Sequence, residues 1–197
     1  MTSRARSNRV RRILAVEDGP FLREDIHCLI LGVVTADSSI DQILMNRICV
    51  DGEDSTEKVA SLVRRSGKVD VLMLPSISLG GFNIIDPYEL HRELRLPILI
   101  VNPKRPDMRM VREALQQHFV DWEERIRVFN LMGSPKAFHP NSRIRTYYYA
   151  VGVSRYEAES ILRVSLRFGK RPEPLRVARI IARALGELSS MKALGRM

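Results

Sequence analysis

Three apolar runs crowd the first fifty residues, and the gaps between them are too short or too broken to hold a helix. Arg12-Ile-Leu-Ala-Val16 has the length of a strand and is stopped by Gly19-Pro20. Residues 27–36 predict a second strand, 37–43 a polar turn and 44–50 a third strand. So short a connection makes the second and third strands antiparallel. The pattern then changes. Asp54-Ser-Thr-Glu57 opens a helix to about Ser66, with Asp54 or Ser55 at its cap and an acidic first turn. Val69–Leu74 reads as a buried strand, Asp86–Leu94 as a helix, Pro97–Val101 as a strand and Asp107–Phe119 as a helix. Beyond these the residues predict a strand at Arg125–Asn130, a basic loop holding Pro135 and Pro140, and a strand at 144–151. The capping box Ser154-x-x-Glu157 starts a helix to about Phe168, and Pro174 opens a last helix over 174–190.

The order β-β-β-α-β-α-β-α resembles the ribonuclease H-like fold: an antiparallel meander followed by parallel crossovers. The expected architecture is therefore α/β, with a mixed five-stranded central sheet flanked by helices and a C-terminal strand and helices added to it. Residues 1–11 are expected to form a basic flexible arm, and 12–197 a single domain. The opening strand with Glu17-Asp18 also resembles a response-regulator receiver. A receiver, however, needs a phosphorylatable Asp where Pro75 stands, and a helix where the run 27–50 is rich in strand formers.

Charge narrows the partner. The chain carries 32 Lys and Arg against 23 Asp and Glu, a formal net charge of +9, and only six of the cations are lysine. Arginine forks match phosphate oxygens and stack on bases, so a nucleic acid is the expected partner, DNA ahead of RNA. Arg4, Arg6, Arg9, Arg11 and Arg12 concentrate the excess at the start. No apolar run approaches the ~20 residues of a membrane span. The Arg-rich start lacks the apolar stretch of a secretory signal, so the expectation is a cytoplasmic chain with no membrane partner. Its oligomeric state stays open. Cys28 and Cys49 are spaced to face each other across a hairpin and read as free thiols in a reducing compartment.

Phosphodiester cleavage needs an activated water and a stabilised leaving oxygen, commonly through Mg²⁺ or Mn²⁺ on carboxylates at the ends of central strands. Glu17 and Asp18 follow the first strand, Asp51 the third; Asp54 begins the first helix and Asp86 the next. Glu17, Asp18, Asp54 and Asp86 are the candidate metal ligands, because adjacent acids at a buried strand end repel unless a cation neutralises them. Lys104, past the fifth strand, is placed to meet a phosphate, with Arg105, Arg143 and Arg145 as further nucleic-acid contacts. Gly80 and Gly81, with Asn83, form a tight loop that lets backbone approach a nucleotide. Turn and cap roles compete at Asp51-Gly52, Asp54, Asp86-Pro87 and the glycine pair. Of Tyr147, Tyr148 and Tyr149, alternation sends at least one into the core and leaves others to stack bases.

Five blocks in order carry a resemblance: Glu17-Asp-Gly-Pro-Phe21, Val50-Asp-Gly-Glu-Asp-Ser-Thr56, Gly80-Gly-Phe-Asn-Ile-Ile-Asp86, Pro97 through Asp107, and Pro172-Glu-Pro-Leu-Arg-Val-Ala178. Together they resemble the archaeal endonuclease dU family, a distant relation of endonuclease V. The resemblance implies metal-dependent cleavage of DNA at deoxyuridine. It makes Asp18 a metal ligand, Asp51 and Asp54 acids near the first helix, Asp86 the close of the Gly-Gly-Phe-Asn loop, and Lys104 similar to a lysine that endonuclease V carries after its fifth strand. Ribonuclease H-like nucleases also place an acid near the end of the fourth strand. Here Pro75-Ser76 stand there.

Overall fold

The computed structural model describes the backbone of residues 12–36 and 39–193 and, within these, the side chains through Glu187. The expected basic arm at 1–11 lies outside the described residues. In chain order the elements are β1 (Arg12–Asp18), β2 (His27–Ala36), β3 (Ser39–Cys49), α1 (Ser55–Arg65), β4 (Val71–Leu74), β5 (Ser78–Leu79), β6 (Asn83–Ile84) and α2 (Pro87–Leu94). There follow β7 (Ile98–Asn102), α3 (Met108–His118), α4 (Trp122–Met132), β8 (Lys136–Asn141), β9 (Ile144–Val151), α5 (Arg155–Ser165) and α6 (Glu173–Ala193).

Among the described residues seven strands form one mixed sheet, ordered β3-β2-β1-β4-β7-β9-β8. The expected five occupy the first five places: β1 runs antiparallel to β2 and parallel to β4, and β4 parallel to β7. The hairpin β8–β9 extends that sheet on the far side of β7. Alternation along β1 sends Leu14 and Val16 to one face and Ile13 and Ala15 to the other, each into its own core. The first core is closed by α1, α2 and α4, the second by α5 and α6. No helix among the described residues is long and apolar enough to cross a membrane.

The structure corrects four local expectations. Arg125–Asn130 is not a strand but the middle of α4. Helical spacing lets Phe129 and Met132 pack on the core with Ile126 buried beside them, which an alternating strand would not do. The loop holding Pro140 is mostly β8, an edge strand, where a missing N–H costs no ladder bond, and Pro140 falls at its register shift. The polar turn at 37–43 is largely strand, since β3 begins at Ser39 with a solvent-facing edge that carries polar residues such as Asp41. Cys28 pairs in register with Ile48 and Cys49 with His27, so the two free thiols point to opposite faces rather than at each other.

Candidate nuclease site

The parallel strands β1, β4 and β7 end at one edge of the sheet, bringing Asp18, Ser76 and Lys104 to the same side of the molecule. Asp18 closes β1 on the face covered by α1. Its Oδ2 accepts the Gly80 N–H at 2.8 Å. The Gly80 carbonyl in turn accepts the Asp51 N–H at 2.8 Å, and Asp51 Oδ1 accepts the Phe82 N–H at 2.7 Å. Asp18 and Asp51 thus lie on either side of a single residue. The β5–β6 hairpin that contains it cannot carry side chains there. A Cβ on Gly80 would stand 2.8 Å from Cys28 Sγ, and one on Gly81 2.2 Å from Asp51 Oδ1, and both residues have positive φ.

Asp54 stands at the N-cap of α1 without capping it. Its Oδ1 accepts instead from Cys49 N–H at 3.1 Å and from Asn83 Nδ2 at 2.7 Å. Asn83 is fully buried and fastens the hairpin to the β3–α1 loop. It donates also to Cys49 O at 2.8 Å and accepts Ser55 N–H on Oδ1 at 2.9 Å. Arg125 secures the same loops from α4. It donates to Gly52 O at 3.0 Å and Phe82 O at 2.7 Å, pairs with Asp121, and lies 4.5 Å from the centre of the Phe119 ring.

Burial sets the electrostatics. Desolvation raises the Asp18 carboxyl above its usual range, against the opposing Gly80 hydrogen bond. It pushes Glu17 up to about 7, against the charge of Arg171, and the Cys28 thiol beneath Gly80 up to about 12. Glu17 and Asp18 do not share a cation: alternation turns Glu17 to the opposite face, where Arg171 ion-pairs with it. Asp86 has a structural role of its own. Its Oδ1 caps α2, accepting from Tyr88 N–H at 2.8 Å and Glu89 N–H at 3.0 Å, the cap its place before Pro87 suits.

The structure therefore gathers Asp18, Asp51 and Asp54 around one hairpin, turns Glu17 to the opposite face and uses Asp86 to cap α2. Among the described residues no three of His, Cys, Asp and Glu are grouped to hold an ion. What remains fits a cation held by one or two carboxylates and completed by substrate phosphate, the usual manner of Mg²⁺. Asp18 suits the leading role: it is half-buried at the end of β1 and, among the described residues, in no ion pair. Gly80 and Asn83 are buried and serve as the frame of the hairpin rather than as an open nucleotide contact, whereas Gly81 is exposed at its turn. Lys104 and Arg105 are exposed beyond β7, and Arg105 lines an open trough of about 540 Å³ with Asp107 and Ser134. Arg143 and Arg145 are exposed on the β8–β9 hairpin, whose register (Tyr147 opposite Asn102) carries its turn past the same edge. Tyr148 is buried, and Tyr147 and Tyr149 are half-buried on the other face of β9.

Sequence reasoning missed Arg125 and Arg171. Nothing local marks either: Arg125 fell in a segment read as a strand, and Arg171 meets Glu17 across 154 residues.

A profile of the family described as endonuclease dU matches residues 9–186. The UPF0215 protein of Thermococcus sibiricus is 36% identical over 188 residues, covering 92% of this chain and 95% of that protein. A protein of unknown function from Archaeoglobus fulgidus superposes with a TM-score of 0.78 at 30% identity, covering 89% of this chain and 98% of that one. Endonuclease V of Ciona intestinalis, solved with an inosine-containing 23mer DNA, superposes with a TM-score of 0.63 at 10% identity over 90% of this chain and 86% of its own. The NurA nuclease of Sulfolobus solfataricus follows at 0.51 and 14%, covering 96% and 85%. At such identities the likeness shows the fold, which is ribonuclease H-like. Family and fold are those of nucleases, and the chain belongs to the endonuclease dU family.

Proposed function

We propose that this chain is a metal-dependent endonuclease that cuts DNA at deoxyuridine. The observation that carries the reading is Asp18, a half-buried carboxylate at the end of a central strand, facing Asp51 across Gly80 in a chain of this family. A bound divalent cation would supply water activation and stabilisation of the leaving oxygen, with Asp18 as its protein ligand and Asp51 or Asp54 completing it. The chain's own residues do the positioning. The Gly80 N–H orients Asp18 by one oxygen and leaves the other for a ligand. Asn83 and Arg125 hold the loop of Asp51 and Asp54 at fixed distance from it. Lys104, Arg105, Arg143 and Arg145 offer phosphate contacts along the same edge, where an extruded or weakly paired base is cheapest to present.

A second reading rests on one feature. The strand β4 ends at Leu74 and gives way to Pro75-Ser76, with Ser76 Oγ 3.2 Å from Ser78 Oγ, so no carboxylate stands beside Asp18 from that strand. A protein of this fold that binds damaged DNA without cutting it would look the same there. Nicking assays on uracil-, hypoxanthine- and ribonucleotide-containing duplexes, with Mg²⁺, Mn²⁺ or chelator, separate the two. The endonuclease reading expects metal-dependent nicks at uracil; inert protein that still binds the duplex leaves the binding reading.

A further inference from the structure

We propose that the loop between α5 and α6, Arg167-Phe168-Gly169-Lys170, is a second nucleic-acid contact, with Phe168 stacking an unpaired base and Arg167 and Lys170 taking its flanking phosphates. The proposal rests on the nucleic-acid reading of the cleft and extends it to the other side of the sheet edge. From Ser160 to Pro172 the chain holds four cations and no acid. Within that stretch Leu166 is buried, whereas Phe168, two residues later, is 70% exposed. A phenylalanine left in water forgoes burial that its neighbour obtains, and cations on both sides of it suit a base and its phosphates. Gly169, at φ +89, turns the chain so that Phe168 and Lys170 both remain outside.

The loop is moored where such a contact would matter. Arg171, the next residue, turns inward and ion-pairs with Glu17, the neighbour of Asp18. Arg179, one face further along α6, acts electrostatically on both acids. The loop therefore sits at the strand-end edge on the α6 side, opposite Lys104 and Arg105, and a strand crossing that edge would touch both. The nearby cations are otherwise accounted for: the Arg163 guanidinium lies 5.4 Å from the centre of the Phe138 ring. Glu173, the acid within electrostatic reach of Arg167, is held by Arg176 through two bonds of 2.7 and 2.6 Å.

The test is fluorescence anisotropy of a labelled uracil duplex bearing a single-stranded tail, with the full chain. Phe168→Ala should weaken binding about five- to hundredfold, with the dependence on salt unchanged, and Phe168→Tyr should restore it. The double variant Arg167→Gln/Lys170→Gln should lower the slope of log affinity against log salt by about 1.4–1.8. Equal binding by wild type and Phe168→Ala, or no rescue by tyrosine, overturns the role of the loop and leaves the cleft reading intact. No binding by wild type overturns both. If poly-glutamate displaces the probe as well as an oligonucleotide of equal charge, the surface belongs to an acidic protein partner and base stacking is overturned.

Discussion

Glu17 and Asp18 are neighbours in sequence and opposites in environment. Glu17 faces the α6 core and is answered by Arg171; Asp18 faces the hairpin and is answered by one backbone N–H. Both carboxyls are raised by burial, Glu17 to about 7. A carboxyl raised in the folded state contributes stability that is full below its unfolded value, near 4.5 for Glu17, and lost as pH rises through about 7. The melting temperature of wild type relative to Glu17→Gln should therefore fall between those pH values. Parallel curves would mean that the Glu17 carboxyl has the same affinity for its proton folded and unfolded. Asp18→Asn has a different signature. On the proposed function it should abolish nicking while leaving DNA binding intact or tighter, because it would remove the proposed metal ligand and also a charge that repels phosphate. A variant that cuts as well as wild type would show that another carboxylate leads.

At the scale of elements, α4 and the β5–β6 hairpin do most to shape the site; the sequence marks the Gly80-Gly81 turn of the hairpin but neither its short strands nor α4. Arg125 reaches Gly52 and Phe82, each far from it in the chain. Removing it leaves two carbonyls without a charged donor. Arg125→Ala should cost about 2–3 kcal/mol and raise hydrogen exchange selectively in residues 50–54 and 80–83. A uniform rise across the sheet would instead mark a general loss of packing. What could be read locally was read: the strands with dense apolar runs, the capping box at Ser154, and the Pro-opened last helix, which starts one residue earlier at Glu173. What failed depended on distant partners. The segment at Arg125–Asn130 has short-range alternation that a strand would share, and only the core it packs against decides for a helix. Asp86 could be a ligand or a cap by sequence, and in the structure its Oδ1 caps α2. Glu17-Asp18 suggested a shared cation until the opposite facing of the two side chains and the presence of Arg171 answered it.

At the scale of the whole molecule, the order of elements carried the central topology, because crossovers between parallel strands are right-handed and leave few arrangements. The hairpin β8–β9 widens that sheet and brings Arg143 and Arg145 past the edge where Asp18 lies. The proposed function has these two arginines, Lys104 and Arg105 meet roughly four phosphates, so on that reading log affinity for duplex DNA should fall against log salt with a slope of about −3 to −4. A flat dependence would remove the nucleic acid as the partner. The most direct measurement is the single-turnover nicking rate of saturating enzyme on a uracil-containing duplex and on its thymine counterpart, with Mg²⁺ and with chelator. Cleavage confined to the uracil duplex with metal present is the predicted result; equal rates on both duplexes, or none on either while binding persists, would contradict it.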